Sequence, residues 1–431
     1  MPERAAAAAA SGDHRIGLDD FKRDHGFAQK LLFPMYREAR VDRQTGGMIR
    51  VTWGVSNMGT RVSGRRLAVS FLYRRALLGA VSVVWAAAIG ACAPLAGDEA
   101  PGVQFAALPP APVRLPHPAI TDAAFTTTDA ETLPLRRWLP AGEPGAARGV
   151  APRAVILALH GFNDYSNAFD APAKEWAKHG IATYAYDQRG FGGAPGRALW
   201  PGSAALATDA VTAATLLRAK YPRQPIYLLG ESMGGAVAIL AATGATGIRP
   251  AAVDGVILSA PAVWTRESMQ FLPRMALWAG VRMFPGAVFT GESLHILASD
   301  NIPMLIALGK DPMVIKGARV DTMYGLVDLM DQTIEAAPHL SAPLLMMYGA
   351  HDAVIPADPV RAFVAALPPG VASRDRFAYY TNGYHMLLRD LEGQKVAADV
   401  ATWALDRAAA LPSHADAVGT DHPWPPVAAG G

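Results

Sequence analysis

A chain of 431 residues is long enough for one large domain or two smaller ones, and with 51% of its residues apolar it can bury a substantial core. A formal net charge of +2, with no basic stripe interleaved with aromatics, speaks against a nucleic-acid partner. Cys92 is the sole cysteine, which excludes an intramolecular disulfide and a multi-cysteine metal centre, and no H-E-x-x-H, Walker or EF-hand pattern is present, so no metal is expected.

Residues 1–60 open with an alanine run and then mix charges, glycine and single apolar residues without a period. They read as a segment without fixed structure, or as a start placed too far upstream with Met58 a candidate true start, or as a genuine N-terminal extension. Residues 61–92 are tripartite. Arg65, Arg66, Arg74 and Arg75 form a positive region, Ala76 to Ala91 is uncharged and apolar, and the stretch closes on Ile89-Gly90-Ala91-Cys92. That order is the pattern of a secretory signal peptide, and its apolar run is short for a membrane span of about 20 residues. The last four residues resemble a bacterial lipobox, which implies that Cys92 is lipidated and that the protein is exported and held at the membrane of the cell envelope. An uncleaved inner-membrane signal anchor and a cytoplasmic protein with a chance cysteine are the alternatives. Residues 93–124, rich in proline and alanine, read as a linker.

From residue 125 to about 410, short apolar runs alternate with helical patterns, which predicts a mostly parallel sheet with helices on both faces. The predicted strands are Leu135–Trp138, Ala154–Leu159, Ala182–Tyr186, Ile226–Leu229, Val256–Ser259, Leu344–Tyr348 and Arg376–Tyr380. Predicted helices include Ser203–Lys220, with Ser203 as N-cap, and Gly393–Arg407, with Val396, Val400 and Trp403 at helical spacing. Residues 263–335 break the alternation. They are helix-like, rich in Met, Trp and Phe, and read as an inserted cap. Residues 411–431, rich in Pro, Gly and Ala, are expected to lack fixed structure.

Between the Ile226 strand and an alanine-rich helix stands Gly230-Glu231-Ser232-Met233-Gly234-Gly235. A G-x-S-x-G turn between strand and helix is a nucleophile elbow, in which a tight turn holds the serine hydroxyl clear of the backbone. The pentapeptide is weak evidence by itself. An attacking serine also needs a base, an acid to orient it and donors for the oxyanion. Asp352 follows the Leu344 strand in Gly349-Ala350-His351-Asp352, and His385 follows the Arg376 strand in Asn382-Gly383-Tyr384-His385. Ser232, Asp352 and His385 thus stand in the order nucleophile, acid, base, each at a strand end. The expected donors are the backbone N–H of Met233 and that of Phe162, in His160-Gly161-Phe162 after the Ala154 strand. His160 and His351 read as structural, and Asp187 and Arg189 as a pair bracing the loops.

These four motifs, together with Asp187-Gln188-Arg189-Gly190-Phe191-Gly192, resemble monoacylglycerol lipases and related lysophospholipase-like α/β-hydrolases over roughly residues 125–410. The resemblance implies an α/β-hydrolase fold with a helical cap and a cofactor-free serine hydrolase acting on esters of long acyl chains, such as monoacylglycerols or lysophospholipid-like lipids. By position, Ser232 corresponds to the nucleophile, Asp352 to the acid, His385 to the base, and Phe162 and Met233 to the oxyanion donors. Phenylalanine and asparagine after His160-Gly161, and the export signal, depart from the eukaryotic lipases. Other chemistry on the same fold (aminopeptidase, acyltransferase or haloperoxidase) and a non-catalytic envelope lipoprotein are the rival readings. In the cap, Phe271, Met275, Trp278 and Phe284 are candidates for an acyl-chain tunnel or a lipid-facing surface, against the plain alternative of the cap's own packing face. Oligomeric state is not legible.

Overall fold

The computed structural model describes residues 117–141, 151–290, 296–369, 375–417 and 424–426, all within the compact unit Ala107–Gly431. Cys92, the signal-peptide pattern and the Pro/Ala segment up to residue 116 lie outside the described residues.

Among the described residues eleven strands follow in chain order: β1 (Ala119–Ile120), β2 (Ala124–Thr126), β3 (Thr132–Trp138), β4 (Ala154–Leu159), β5 (Ile181–Tyr186), β6 (Ile226–Glu231), β7 (Gly255–Ser259), β8 (Val288–Thr290), β9 (Gly317–Arg319), β10 (Leu344–Gly349) and β11 (Arg376–Tyr380). Nine of them form one sheet in the order β1-β2-β3-β5-β4-β6-β7-β10-β11, while β8 and β9 pair separately. From β5 to β11 every pairing is parallel; β1, β2 and β3 add an antiparallel edge. The expected α/β-hydrolase fold is therefore the observed one. It begins a little earlier than the pattern predicted, because β1 closes the edge against β2.

The helices are α1 (Asp170–Lys178), α2 (Ser203–Lys220), α3 (Met233–Thr243), α4 (Phe271–Met283), α5 (Ile302–Lys310), α6 (Val320–Ala336), α7 (Ala357–Ala366) and α8 (Gly393–Leu405). Strand β4 shows why the sheet reads so clearly. Its six residues are all buried. Val155, Leu157 and Leu159 join a core that includes Leu206 and Ala210 of α2, Val237 and Leu240 of α3, Met330 of α6 and Phe363 of α7. Ala154, Ile156 and Ala158 point the other way, into a core with Trp176 of α1 and Val396, Val400 and Trp403 of α8. A strand covered on both faces has no polar side to present, so it appears as an unbroken apolar run.

Three expectations need correction. Ser203 is not the N-cap of α2: Gly202, at φ +93°, takes that place, and no side chain caps the helix. The last part of the expected cap, α6, buries Val320, Val327, Leu329 and Met330 and packs against α3, so it belongs to the body. Residues 411–417 and 424–426 are packed rather than loose. Trp424 is buried against Tyr348 and Phe377, Asp416 pairs with Arg376, and Ser413 binds Asp399 through its backbone N–H and its hydroxyl.

What remains of the cap is α4, β8, β9 and α5. Neither α4 nor α5 buries a single residue. Arg266 anchors the start of this insertion by pairing with Asp328 and Asp331 of α6. The stretch just before α5 is tied by Met386 N–H to Ala298 O and by the Ser299 hydroxyl to Asp390 Oδ1 at 2.6 Å.

Candidate active site

The chain leaves β6, turns at Ser232 and enters α3. Ser232 sits at φ +53°, ψ −117°, a conformation that a non-glycine residue adopts only when its surroundings impose it. Those surroundings are its backbone bonds. Ser232 N–H donates to Ser259 O at 3.0 Å, and Ser232 O accepts from Gly235, Ala236 and Ala262. The flanking glycines are a matter of space: a Cβ on Gly234 would lie 2.0 Å from Leu159 O, and one on Gly230 2.2 Å from Gly234 O. The turn is thus pressed directly against the end of β4.

The loop after β4 lies beside it, since a Cβ on Gly161 would come within 3.4 Å of Ser232 Cβ. His160 fastens this loop. Its Nε2 accepts from Gln188 N–H at 2.9 Å, so Nδ1 carries the proton and donates to Gly161 O at 2.8 Å. Burial lowers the pKa of this fully enclosed ring, consistent with a neutral, structural histidine. The backbone N–H groups of Phe162 and Met233 donate to no protein acceptor among the described residues, and both flank the serine. Two unspent donors beside a nucleophile are what an oxyanion requires.

Asp352 and His385 come together from the neighbouring strand ends. Gly349 and Gly383 pack so tightly that a Cβ on Gly349 would lie 2.4 Å from Gly383 O. The closeness brings the two loops into register. His385 Nδ1 then meets Asp352 Oδ2 at 2.9 Å, while Asp352 Oδ1 accepts from Val354 and Ile355 N–H. Burial pulls the His385 pKa down, but the charge and hydrogen bond of Asp352 outweigh it, and the net shift is upward. With Nδ1 engaged, Nε2 is the nitrogen left for a serine proton. Asp358 is exposed on α7 and pairs with Arg361, away from this pairing. His351 is exposed and stacks near Tyr384.

Residues 150–392 match the family model described as serine aminopeptidase, S33, which spans more than half of the chain. The chain belongs to this hydrolase family. Relatives of this S33-family chain include a monoglyceride lipase of Rattus norvegicus, 26% identical over 301 residues that cover 68% of this chain and 91% of the relative. The monoacylglycerol lipase of Mycolicibacterium smegmatis is 29% identical over 259 residues, or 58% of this chain and 88% of the relative. Among solved structures, a monoacylglycerol lipase of Paleococcus ferrophilus superposes with a TM-score of 0.51 at 20% identity, covering 63% of this chain and 98% of that one. The structural likeness establishes the fold, and the sequence likeness identifies a monoacylglycerol-lipase-like member of the family.

Two features of this S33-family site differ from, or escape, a reading of the sequence. Asp187 and Arg189 do not pair. Asp187 accepts from the Ser166 N–H and hydroxyl and from Gly193 N–H, while Arg189 pairs with Asp129 and Asp209. Both brace loops, through different partners. Arg389, not singled out by any motif, forms a buried cluster with Glu231 and Asp164. Its members are far apart in the chain, so no local spacing announces them; the sole hint is a carboxylate directly before the serine. No group of three or more His, Cys, Asp or Glu placed to hold a metal occurs among the described residues.

Proposed function

We propose that this protein hydrolyses carboxylic esters of long acyl chains, monoacylglycerols or lysophospholipid-like lipids among them, through an acyl-enzyme on Ser232. The protein is a carboxylic ester hydrolase of the α/β-hydrolase fold. In the proposed cycle, His385 Nε2 takes the Ser232 proton as the hydroxyl attacks the ester carbonyl. Asp352 holds the imidazole in the required tautomer, and the Phe162 and Met233 N–H groups receive the charge that develops on the carbonyl oxygen. His385 then gives its proton to the departing alcohol, and water repeats the sequence on the acyl-enzyme. The observation that supports this reading most is the 2.9 Å His385–Asp352 hydrogen bond, in a chain whose strained Ser232 stands at the end of β6 beside the Gly161 loop.

The acyl specificity rests on the cap. Phe271 is 72% exposed, Leu272 77%, Trp278 49% and Phe284 64%. An apolar face of this extent, with Arg282 stacked over the Trp278 ring, suits a lipid surface better than a tunnel lining. The test is a panel of p-nitrophenyl esters and monoacylglycerols of graded length, with amino-acid p-nitroanilides as a peptidase arm and a fluorophosphonate probe reporting the serine. Turnover that rises with chain length, together with labelling lost in Ser232→Ala, is expected. Turnover of the anilides alone would replace the ester reading with a peptidase.

The location is a proposal from the sequence. An acylated Cys92 would hold the enzyme on a membrane through two or three chains, which bind stably where one does not. Cys92→Ser should abolish uptake of labelled palmitate and leave an uncleaved precursor. Equal labelling of variant and wild type would overturn the anchor.

A further inference from the structure

Arg389 lies four residues after His385, in the loop between β11 and α8. Its Nη1 donates to Asp164 Oδ2 at 2.7 Å and its Nη2 to Glu231 Oε1 at 2.5 Å. All three side chains are buried. Glu231 directly precedes Ser232. Asp164 lies two residues beyond Phe162 and turns the same loop, its Oδ1 accepting from Tyr165 N–H at 2.8 Å. The Arg389 carbonyl accepts from the Asn301 side chain at the start of α5, and its N–H donates to Met386 O. One guanidinium therefore touches the nucleophile turn and the oxyanion loop, while its own backbone belongs to the base loop.

We propose that Arg389 is a positioning residue that holds Ser232, the Phe162 amide and His385 at fixed mutual distances, working through Glu231 and Asp164. The proposal rests on the ester-hydrolase reading above and extends it to a group outside the triad. Chemistry favours arginine here. Its planar fork can meet two carboxylates from different elements at a set angle, which the single ammonium of lysine does not do. Stability alone does not account for the cluster, because an apolar trio of similar volume often stabilises a buried site as well or better. Glu231 Oε2 and Arg389 Nε find no hydrogen-bond partner among the described residues, so the arrangement is not optimised for bonding. Placement is what the three charges share: each sits within a few residues of a group the reaction uses, and geometry errors of about 1 Å in such groups can cost roughly 10²-fold in rate.

A cavity of about 270 Å³ reaches the cluster from outside, lined by Asp164, Tyr165, Asn301, Met304, Asp311 and Arg389. It gives a small cation a route to the guanidinium site and makes chemical rescue feasible. The experiment compares Arg389→Ala, Arg389→Met and Arg389→Lys with the wild type, the active serine in each being counted by fluorophosphonate titration. For Arg389→Ala, kcat per titrated site is expected to fall roughly 10- to 100-fold with KM little changed. Millimolar, sub-denaturing guanidinium is expected to restore part of that loss in Arg389→Ala but not in Arg389→Met, whose side chain fills the site. Arg389→Lys should lie between wild type and Arg389→Ala. Wild-type kcat per site in Arg389→Ala, with the damage confined to melting temperature, would overturn the proposal. If Arg389→Ala does not fold, Glu231→Gln carries the same test: it keeps the volume and loses one charged arm, and a severalfold lower kcat at unchanged KM is expected, whereas wild-type kcat overturns the idea. A wild type that neither labels nor turns over esters would instead strike the ester-hydrolase reading.

Discussion

The strand ends and the cap are built on opposite plans. At the ends of β4, β6 and β10 the reacting groups hang from strands buried on both faces, at the end of β11 from a half-buried edge strand, and each loop is pinned by backbone bonds and tight glycine contacts. Over the cap, α4 and α5 bury no residue and show large apolar side chains to the outside. Groups that make and break bonds need placement within fractions of an ångström, and a sheet core supplies it. Groups that meet acyl chains of varied length need area and adaptability, which a thinly packed insertion with Met and aromatic side chains supplies. Damage to the first region should therefore fall on every substrate alike, and damage to the second on some substrates only.

The sharpest way to break this contrast is Ser232→Ala. It should lower kcat by about 10⁶-fold on short and long esters equally, with the fold intact by circular dichroism. A variant that kept long-chain turnover would place the nucleophile elsewhere. Asp352→Asn should cost about 10⁴-fold, because the amide favours the wrong imidazole tautomer. The same residue governs the pH profile. His385 must be neutral to accept a proton, and its pKa is raised in the fold, so the acidic limb of kcat/KM should lie above the ordinary histidine value of about 6.5. Without the Asp352 charge, burial is left to act and the limb of the residual activity should move to lower pH. A limb that stayed in place would mean that another group sets it.

Smaller effects should come from the cap. Trp278→Ser with Phe284→Ser should reduce turnover of long-chain esters about ten- to a hundredfold, from the loss of two apolar contacts, and leave acetate esters unchanged. Equal loss on both would turn these side chains into packing for the cap itself. Arg266→Ala removes partly exposed ion pairs to Asp328 and Asp331, so it should lower stability by about 1 kcal/mol or less, seen as a small drop in melting temperature. A large drop would mean that the cap is integral to the body.

The same contrast explains what could be read from the sequence. Strands β4 and β10 begin where the apolar runs begin, because two covered faces leave one kind of side chain along the whole strand. Ser232, Asp352 and His385 were legible because the fold puts its working groups directly after those runs. Helix α4 was legible as apolar, with a lipid-facing surface, a tunnel lining and a packing face all left open, since composition alone does not separate a core helix from one that faces outward. Ser203 misled because Gly202 adopts a backbone conformation that ends the preceding turn by itself. Trp424 was lost among prolines, although one buried indole is enough to pin a poor-looking segment. The Arg389 cluster had only one faint hint, the carboxylate before Ser232: Asp164, Glu231 and Arg389 meet in space from three distant parts of the chain.

The stitching of the cap limits how it can open. Besides Arg266 at its start and Ser299 before α5, Arg197 donates to the carbonyls of Pro312 and Met313, Tyr165 holds Asp311, and Ile315 N–H binds Asn163 O in the loop that carries Phe162. A hinge that swung the insertion away as one piece would have to tear all of these at once and would drag the Phe162 loop with it. Among the described residues the insertion is tied down at its start, before α5 and after it, as a strap and not as a door. Access for a substrate must then come from side chains on α4 and α5 changing rotamers within a fixed frame, and the enzyme should need no large structural transition to begin a turnover.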